Sequence, residues 1–123
     1  MQLEQVTDVE LSILQYLWEH GEASTRELTV YLYNEISGAK MSSAQKFIER
    51  LENKGCIERI RLKKRIHRFR PLATQEQFLQ ARLQALADRV CDGTLIPLAT
   101  SLVRSKGLTK KEREQLRKLI SEL

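Results

Sequence analysis

Cysteine and histidine are scarce in this chain of 123 residues, and the few present are scattered. Cys56 and Cys91 form no Cys-x-x-Cys pair, and neither stands at metal-ligand spacing from His20 or His67, so the sequence offers no zinc-site or Cys-x-x-Cys motif. Both cysteines read as small buried hydrophobes, and both histidines as isolated surface or wing residues. Asp88 and Asp92 flank Cys91 without a histidine, a glycine-rich phosphate loop or a second acid pair beside them. No catalytic constellation can be assembled from these residues, so the chain is read as a non-enzyme without a cofactor. Long apolar runs are missing as well. None approaches the roughly 18 residues of a membrane span, and the N-terminus lacks the basic-then-apolar layout of a secretory signal, which points to a cytoplasmic protein. The lone Trp18 falls on an apolar helix face and reads as core rather than as a platform for a ligand.

Charge is abundant, on a globular background of 41% hydrophobic and 30% charged residues, a balance that folds rather than staying disordered. The length suits one domain, or a small domain plus an appendage that needs a partner to cover its apolar face. Lys and Arg outnumber Asp and Glu by 21 to 16, and their distribution matters more than the excess. Arg59, Arg61, Lys63, Lys64, Arg65, Arg68 and Arg70 share one stretch without an acid, whereas Glu4, Asp8, Glu10, Glu19, Glu22, Glu27 and Glu35 make the first third acidic.

Three helices are predicted first. Thr7 to Glu10 has the form of a capping box, and Leu11, Leu14, Leu17 and Trp18 then recur on one face until Gly21, giving a helix over about 8 to 20. Ser24 to Glu27 repeats the box, with Leu28, Leu32 and Ile36 on one face before a break at Ser37-Gly38. Ser42 or Ser43 is expected to cap a third helix with an Ala44, Phe47, Ile48, Leu51 stripe, closed by Lys54-Gly55. From Cys56 the period becomes alternating: Ile57, Arg59 and Arg61 in one strand, Ile66, Arg68 and Arg70 in another, with Leu62 to Arg65 as the turn and Pro71 as the stop. A hairpin directly after three short helices is a winged helix-turn-helix. Thr74 to Gln77 caps a further helix with Leu79, Leu83, Leu86 and Val90 spaced like a coiled-coil seam. Leu95, Leu98, Ala99 and Leu102 form a second stripe, and Leu116, Leu119, Ile120 and Leu123 a third after the Thr109 to Glu112 box. Helices this short bury little alone, so a second copy of the chain is the natural lid.

The third helix is the candidate reader of DNA. With its apolar stripe turned inward, Ser42, Ser43, Gln45, Lys46, Glu49, Arg50 and Asn53 face out, a set whose amide, cationic, carboxylate and hydroxyl groups can meet base edges or phosphates. The same residues would also suit an ordinary solvated face. The wing shifts the balance, because seven cations in one hairpin repel each other unless solvent or a polyanion screens them, and Lys63, Lys64 and Arg65 at its tip would reach a phosphate backbone.

These segments resemble the penicillinase repressor (BlaI/MecI/CopY) family. The likeness runs through Thr7 to Leu11 with Leu14 and Leu17-Trp18, Ala23 to Leu28, Ile48 to Ile57, and His67 to Pro71, where His67 takes the first place of an aromatic-x-aromatic-x-Pro strand. It continues through Gly93 and the Leu108 to Leu119 helix. The resemblance implies a winged-helix repressor that dimerises through its C-terminal helices and binds an operator dyad. In β-lactam-resistance systems it also implies inactivation by proteolysis linked to a membrane metalloprotease sensor, and where those regulators have an Asn-Phe cleavage bond this sequence has Ser101-Leu102. Of the two threonines usual in the family's recognition helix, Ser43 keeps a hydroxyl and Lys46 replaces the other. The Cys-x-Cys tail of copper-responsive members is absent.

The expected architecture is mainly α, with a winged-helix DNA-binding domain over residues 1–73 and a helical dimerisation domain over 74–123 built on Leu79, Leu83, Leu86, Val90, Leu95, Leu98, Leu102, Leu116, Leu119 and Ile120. The expected function is a homodimeric repressor on a double-stranded DNA operator. One alternative is a winged-helix protein-interaction module that binds no DNA. Another is an RNA-binding protein, which the lack of an exposed aromatic platform disfavours, since Phe47 and Phe69 read as buried.

Overall fold

A computed structural model describes residues 1–123, which divide into two compact units, Met1–Arg82 and Leu83–Leu123. In the first unit a short 3-10 turn (Leu3–Gln5) leads into α1 (Asp8–His20), β1 (Ala23–Ser24), α2 (Thr25–Tyr33), α3 (Gly38–Asn53), β2 (Ile57–Lys63) and β3 (Ile66–Pro71), followed by the start of α4 (Gln75–Val90). This is a winged helix: three helices carry a small antiparallel sheet in the order β1-β3-β2. The second unit holds the rest of α4, then α5 (Ile96–Arg104) and α6 (Lys110–Ser121).

The helix starts follow from side-chain capping. Thr7 and Glu10 close a reciprocal box on α1, Ser24 and Glu27 one on α2, Thr74 and Gln77 one on α4, and Thr109 and Glu112 one on α6. Gly21, at φ +87°, ends α1 in a conformation that an L side chain resists.

Two expected boundaries are corrected. Asn34 adopts the left-handed conformation and stops α2 at Tyr33, which leaves Ile36 outside the helix and exposed. The third helix starts at Gly38, not at Ser42 or Ser43, because the Ser37 hydroxyl accepts a hydrogen bond from the Lys40 N–H at 3.2 Å and outweighs glycine as a breaker. Gly55, at φ +73°, terminates α3 as expected, with the Cys56 N–H returning to the Leu51 carbonyl at 3.0 Å.

The hairpin turn is tighter than Leu62 to Arg65. Lys63 pairs with Ile66, an irregularity at Leu62 absorbs the register shift, and only Lys64 and Arg65 lie in the loop, Arg65 at φ +65°. β1 was not foreseen. Its two residues pair Ala23 with Phe69 and Ser24 with Arg68, making the sheet three-stranded, and a strand that short carries no alternation to read.

The core gathers Ile13, Leu14 and Leu17 from α1, Leu28 from α2, Ile48 and Leu51 from α3, Cys56, Ile57 and Phe69 from the wing base, and Leu3 and Val6 from the N-terminal segment. Trp18 is half-buried at the edge of this core rather than within it. Its indole N–H donates to the Ala73 carbonyl at 2.8 Å, and its ring meets Phe78 of α4 at 5.7 Å. Arg82 donates to the Val6 carbonyl and lies over the Phe78 ring, so the first turns of α4 pack with the winged helix.

The second unit has little core of its own. Ala87 is its only buried residue, and Cys91, read as buried, is half-exposed. Gln84 donates to Asp88 and to the Gly93 carbonyl at the end of α4, and Arg113 of α6 donates to the carbonyls of Val103 and Ser105. Leu123, placed in the last stripe by its spacing, lies past the end of α6 and is fully exposed.

Candidate nucleic-acid interface

α3 is fixed at both ends, and this determines which face it presents. Ala44, Ile48 and Leu51 are buried and Phe47 half-buried, so helical geometry turns Ser42, Gln45, Lys46, Glu49, Arg50 and Asn53 to the outside, all of them exposed. Ser43 is half-buried, and its hydroxyl donates to the Ala39 carbonyl at 3.1 Å, so that donor is engaged within the helix. The Arg50 guanidinium lies 5.5 Å from the Phe47 ring. The earlier start of the helix adds Lys40, whose ammonium sits 4.9 Å over Tyr33 of α2. Sequence periodicity missed Lys40 because the helix was expected to begin after it.

The C-terminal end of α3 is held by a buried ion pair. Lys54 donates to both carboxylate oxygens of Glu10 and, at 2.7 Å, to the Gln5 carbonyl, while the Glu10 side chain is fully enclosed. Burial alone would raise the Glu10 carboxyl. The hydrogen bond and charge of Lys54, with the Thr7 N–H and hydroxyl, override it and hold the group below the ordinary glutamate value. Charge patterning in the sequence did not reveal this pair, since its members are far apart in the chain.

The wing is less repulsive than its sequence suggests. Arg59 pairs with Glu52 of α3 at 2.8 Å, Arg68 with Glu22 at 2.8 Å and Glu27 at 2.7 Å, and Arg70 with Glu58 across the ladder. Three of the seven cations are thus neutralised by acids outside the basic stretch. Glu27 is held below the ordinary carboxylate value in the same way: burial would raise it, but the Arg68 hydrogen bond and charge prevail. The pairs tie the wing base to α3 and to the start of α2. Arg61, Lys63, Lys64 and Arg65 remain without a carboxylate partner and line an open concavity of about 450 Å³ with Leu62 and His67. A cation-lined concavity on a protruding hairpin suits a polyanion. No group in it is arranged for bond-making chemistry.

A family model described as the penicillinase repressor matches residues 6–122, so it covers α3, the wing and the C-terminal helices together. The chain belongs to the penicillinase repressor family. It is 21% identical over 118 residues to a penicillinase repressor of Bacillus licheniformis, spanning 96% of this chain and 91% of that protein. As a penicillinase-repressor family member it is a transcriptional repressor, from a family of regulators rather than enzymes. Of the ten apolar residues assigned to dimerisation, Leu98 and Leu116 are half-buried in the single chain and the other eight are exposed. Ser101 and Leu102 both lie in α5 and are exposed. No helix is long and apolar enough to cross a membrane.

Proposed function

We propose that this repressor acts as a homodimer on a double-stranded DNA operator dyad, with α3 reading base edges and the wing tip gripping the phosphate backbone. The observation that carries the reading is the division of the wing cations. Those at the base are consumed by Glu52, Glu22, Glu27 and Glu58, whereas Arg61, Lys63, Lys64 and Arg65 toward the tip have no acid of their own. Unpaired lysines also protect a sheet edge from aggregation, but four cations crowded at one end without an acid repel each other unless solvent or a polyanion screens them. On α3, the exposed Gln45 can pair bidentately with adenine and Lys46 or Arg50 can donate to guanine, with Glu49 beside them and Ser42 available for a phosphate.

The dimer reading rests on the second unit. Leu83, Leu86, Val90, Leu95, Leu102, Leu119 and Ile120 are exposed, against a single buried alanine, which is the composition of half a core. With Leu79, Leu98 and Leu116 they would form the clamp that holds two winged helices at a fixed separation on the dyad. On this reading residues 1–73 bind DNA and 74–123 dimerise, whereas the compact units divide within α4, after Arg82. Induction by a cut at Ser101-Leu102, in a pathway begun by a membrane-bound sensor protease, fits this arrangement because that bond separates α6 from the seam on α4.

Capture and sequencing of genomic fragments bound by the full-length protein tests the reading. A recurrent dyad among them is the expected result, and a random spread or no DNA would refute it.

A further inference from the structure

We propose that duplex binding by this protein is proton-linked through His67, which takes up a proton as a DNA phosphate enters the wing concavity; this rests on the DNA-binding reading. His67 shares its face of β3 with the buried Phe69, and it stands opposite Arg61 on β2. It is half-buried, and its Nδ1 is enclosed without any hydrogen-bond partner. The charged groups that share its concavity are all cations. Arg61 faces it from β2, and Lys63, Lys64 and Arg65 share its concavity from the end of β2 and the turn. β1 ends opposite Phe69 and Arg68 and places no residue beside it. From α3, the acids Glu49 and Glu52 act on Arg59, the next same-face position on β2 toward the core, with Glu52 as its ion-pair partner. No ion pair of the protein includes His67.

A phosphate seated among these cations supplies the negative charge that the free concavity lacks, so the imidazolium is favoured in the complex relative to the free protein. By linkage, whatever favours protonation also favours binding. The sign follows: affinity rises as pH falls through the range in which imidazoles titrate, and the gain is lost as pH rises again. Lys and Arg cannot produce this effect near neutrality, the only other histidine, His20, lies at the end of α1 stacked on Tyr16, and substitution of His67 separates its contribution from that of any other group.

The test measures Kd for a labelled mixed-sequence 30-base-pair duplex by anisotropy between pH 6 and pH 8 at constant ionic strength. Mixed sequence suffices because phosphate contacts do not depend on base identity. The intact protein is expected to bind about five- to tenfold more tightly at the acid end. His67→Phe and His67→Gln should flatten this dependence, and His20→Gln should keep it. Because a wing variant can unfold, the imidazole resonances of His67 in the intact protein provide a substitution-free measurement, and their titration midpoint should move up on adding duplex. Tight but pH-independent binding, a slope that survives in both His67 variants, or an unmoved midpoint would overturn the inference while leaving DNA binding intact. No duplex binding at any pH would overturn the DNA-binding reading and this inference together.

Discussion

Replacing Lys63, Lys64 and Arg65 with alanine removes three cations that no carboxylate of the protein engages. Each phosphate contact contributes about 0.9 to the slope of log affinity against log salt, so three contacts contribute about 2.7 per bound protomer. Over a fourfold rise in salt, the intact protein should therefore weaken about 40-fold more than the variant for each protomer bound, and by about the square of that factor for a dimer with both wings engaged. The loss should be similar for any duplex sequence. The control is the triple variant of Arg59, Arg68 and Arg70, which has the same change in net charge but removes cations already paired with Glu52, Glu22, Glu27 and Glu58. Its salt slope should stay near that of the intact protein. Its cost should appear instead in folding stability, at about 0.2–1 kcal/mol for each partly exposed pair. Anisotropy with a labelled duplex across a salt series, alongside urea unfolding, measures both quantities. An unchanged slope in the tip variant, or an equal fall in both variants, would refute the division of the wing into structural and contacting cations.

Alanine at Gln45 or Lys46 should cost about 1–3 kcal/mol on the preferred operator and much less on random DNA, measured by competition binding; equal losses on both would make them phosphate contacts. Glu10→Gln should destabilise the winged helix by about 2–4 kcal/mol near neutral pH, since it leaves Lys54 without its buried partner. Because the folded-state Glu10 value is lowered, its contribution is present above the ordinary glutamate range and lost as pH falls below it. The intact protein should thus lose its advantage over the variant in acid unfolding series, and a constant difference would argue against the pair. A chain ending at Ser101 should be a folded monomer that no longer fills a dyad at the concentration where the intact protein does, since linked half-sites gain roughly 10²–10⁴ in affinity. Ultracentrifugation showing a dimer that still occupies the dyad would reject the clamp.

Local signals were legible wherever one residue decides a local geometry. Thr7, Ser24, Thr74 and Thr109 announced helix starts through their partners three residues on, and Gly21 and Gly55 announced helix ends. Competing local signals were less readable. Ser37 capping beats Gly38 breaking, and Asn34 ends α2 before the apolar stripe does, although Ile36 still fits that stripe on a helical wheel. Contacts between distant segments left no trace in periodicity. The Glu10–Lys54 pair, the Arg68 bridge to Glu22 and Glu27, and the pairing of β1 with β3 all depend on tertiary placement. As a result, the whole basic run read as uncompensated charge. For the candidate interface, the outward face of α3 could be read from helical geometry, whereas the distinction between the tip and base of the wing could not.

Arg65 occupies the second place of a two-residue turn at φ +65°, where glycine or asparagine is the comfortable choice and another L residue costs about 1–2 kcal/mol. That cost falls on the free protein, where the side chain has no partner to offset it. Relieving residue 65 with glycine or asparagine would remove one of the four unpaired tip cations, so under the proposed function folding stability and grip on DNA oppose each other at this position. If the tip grips phosphate as proposed, a variant made more thermostable at residue 65 would be a weaker binder.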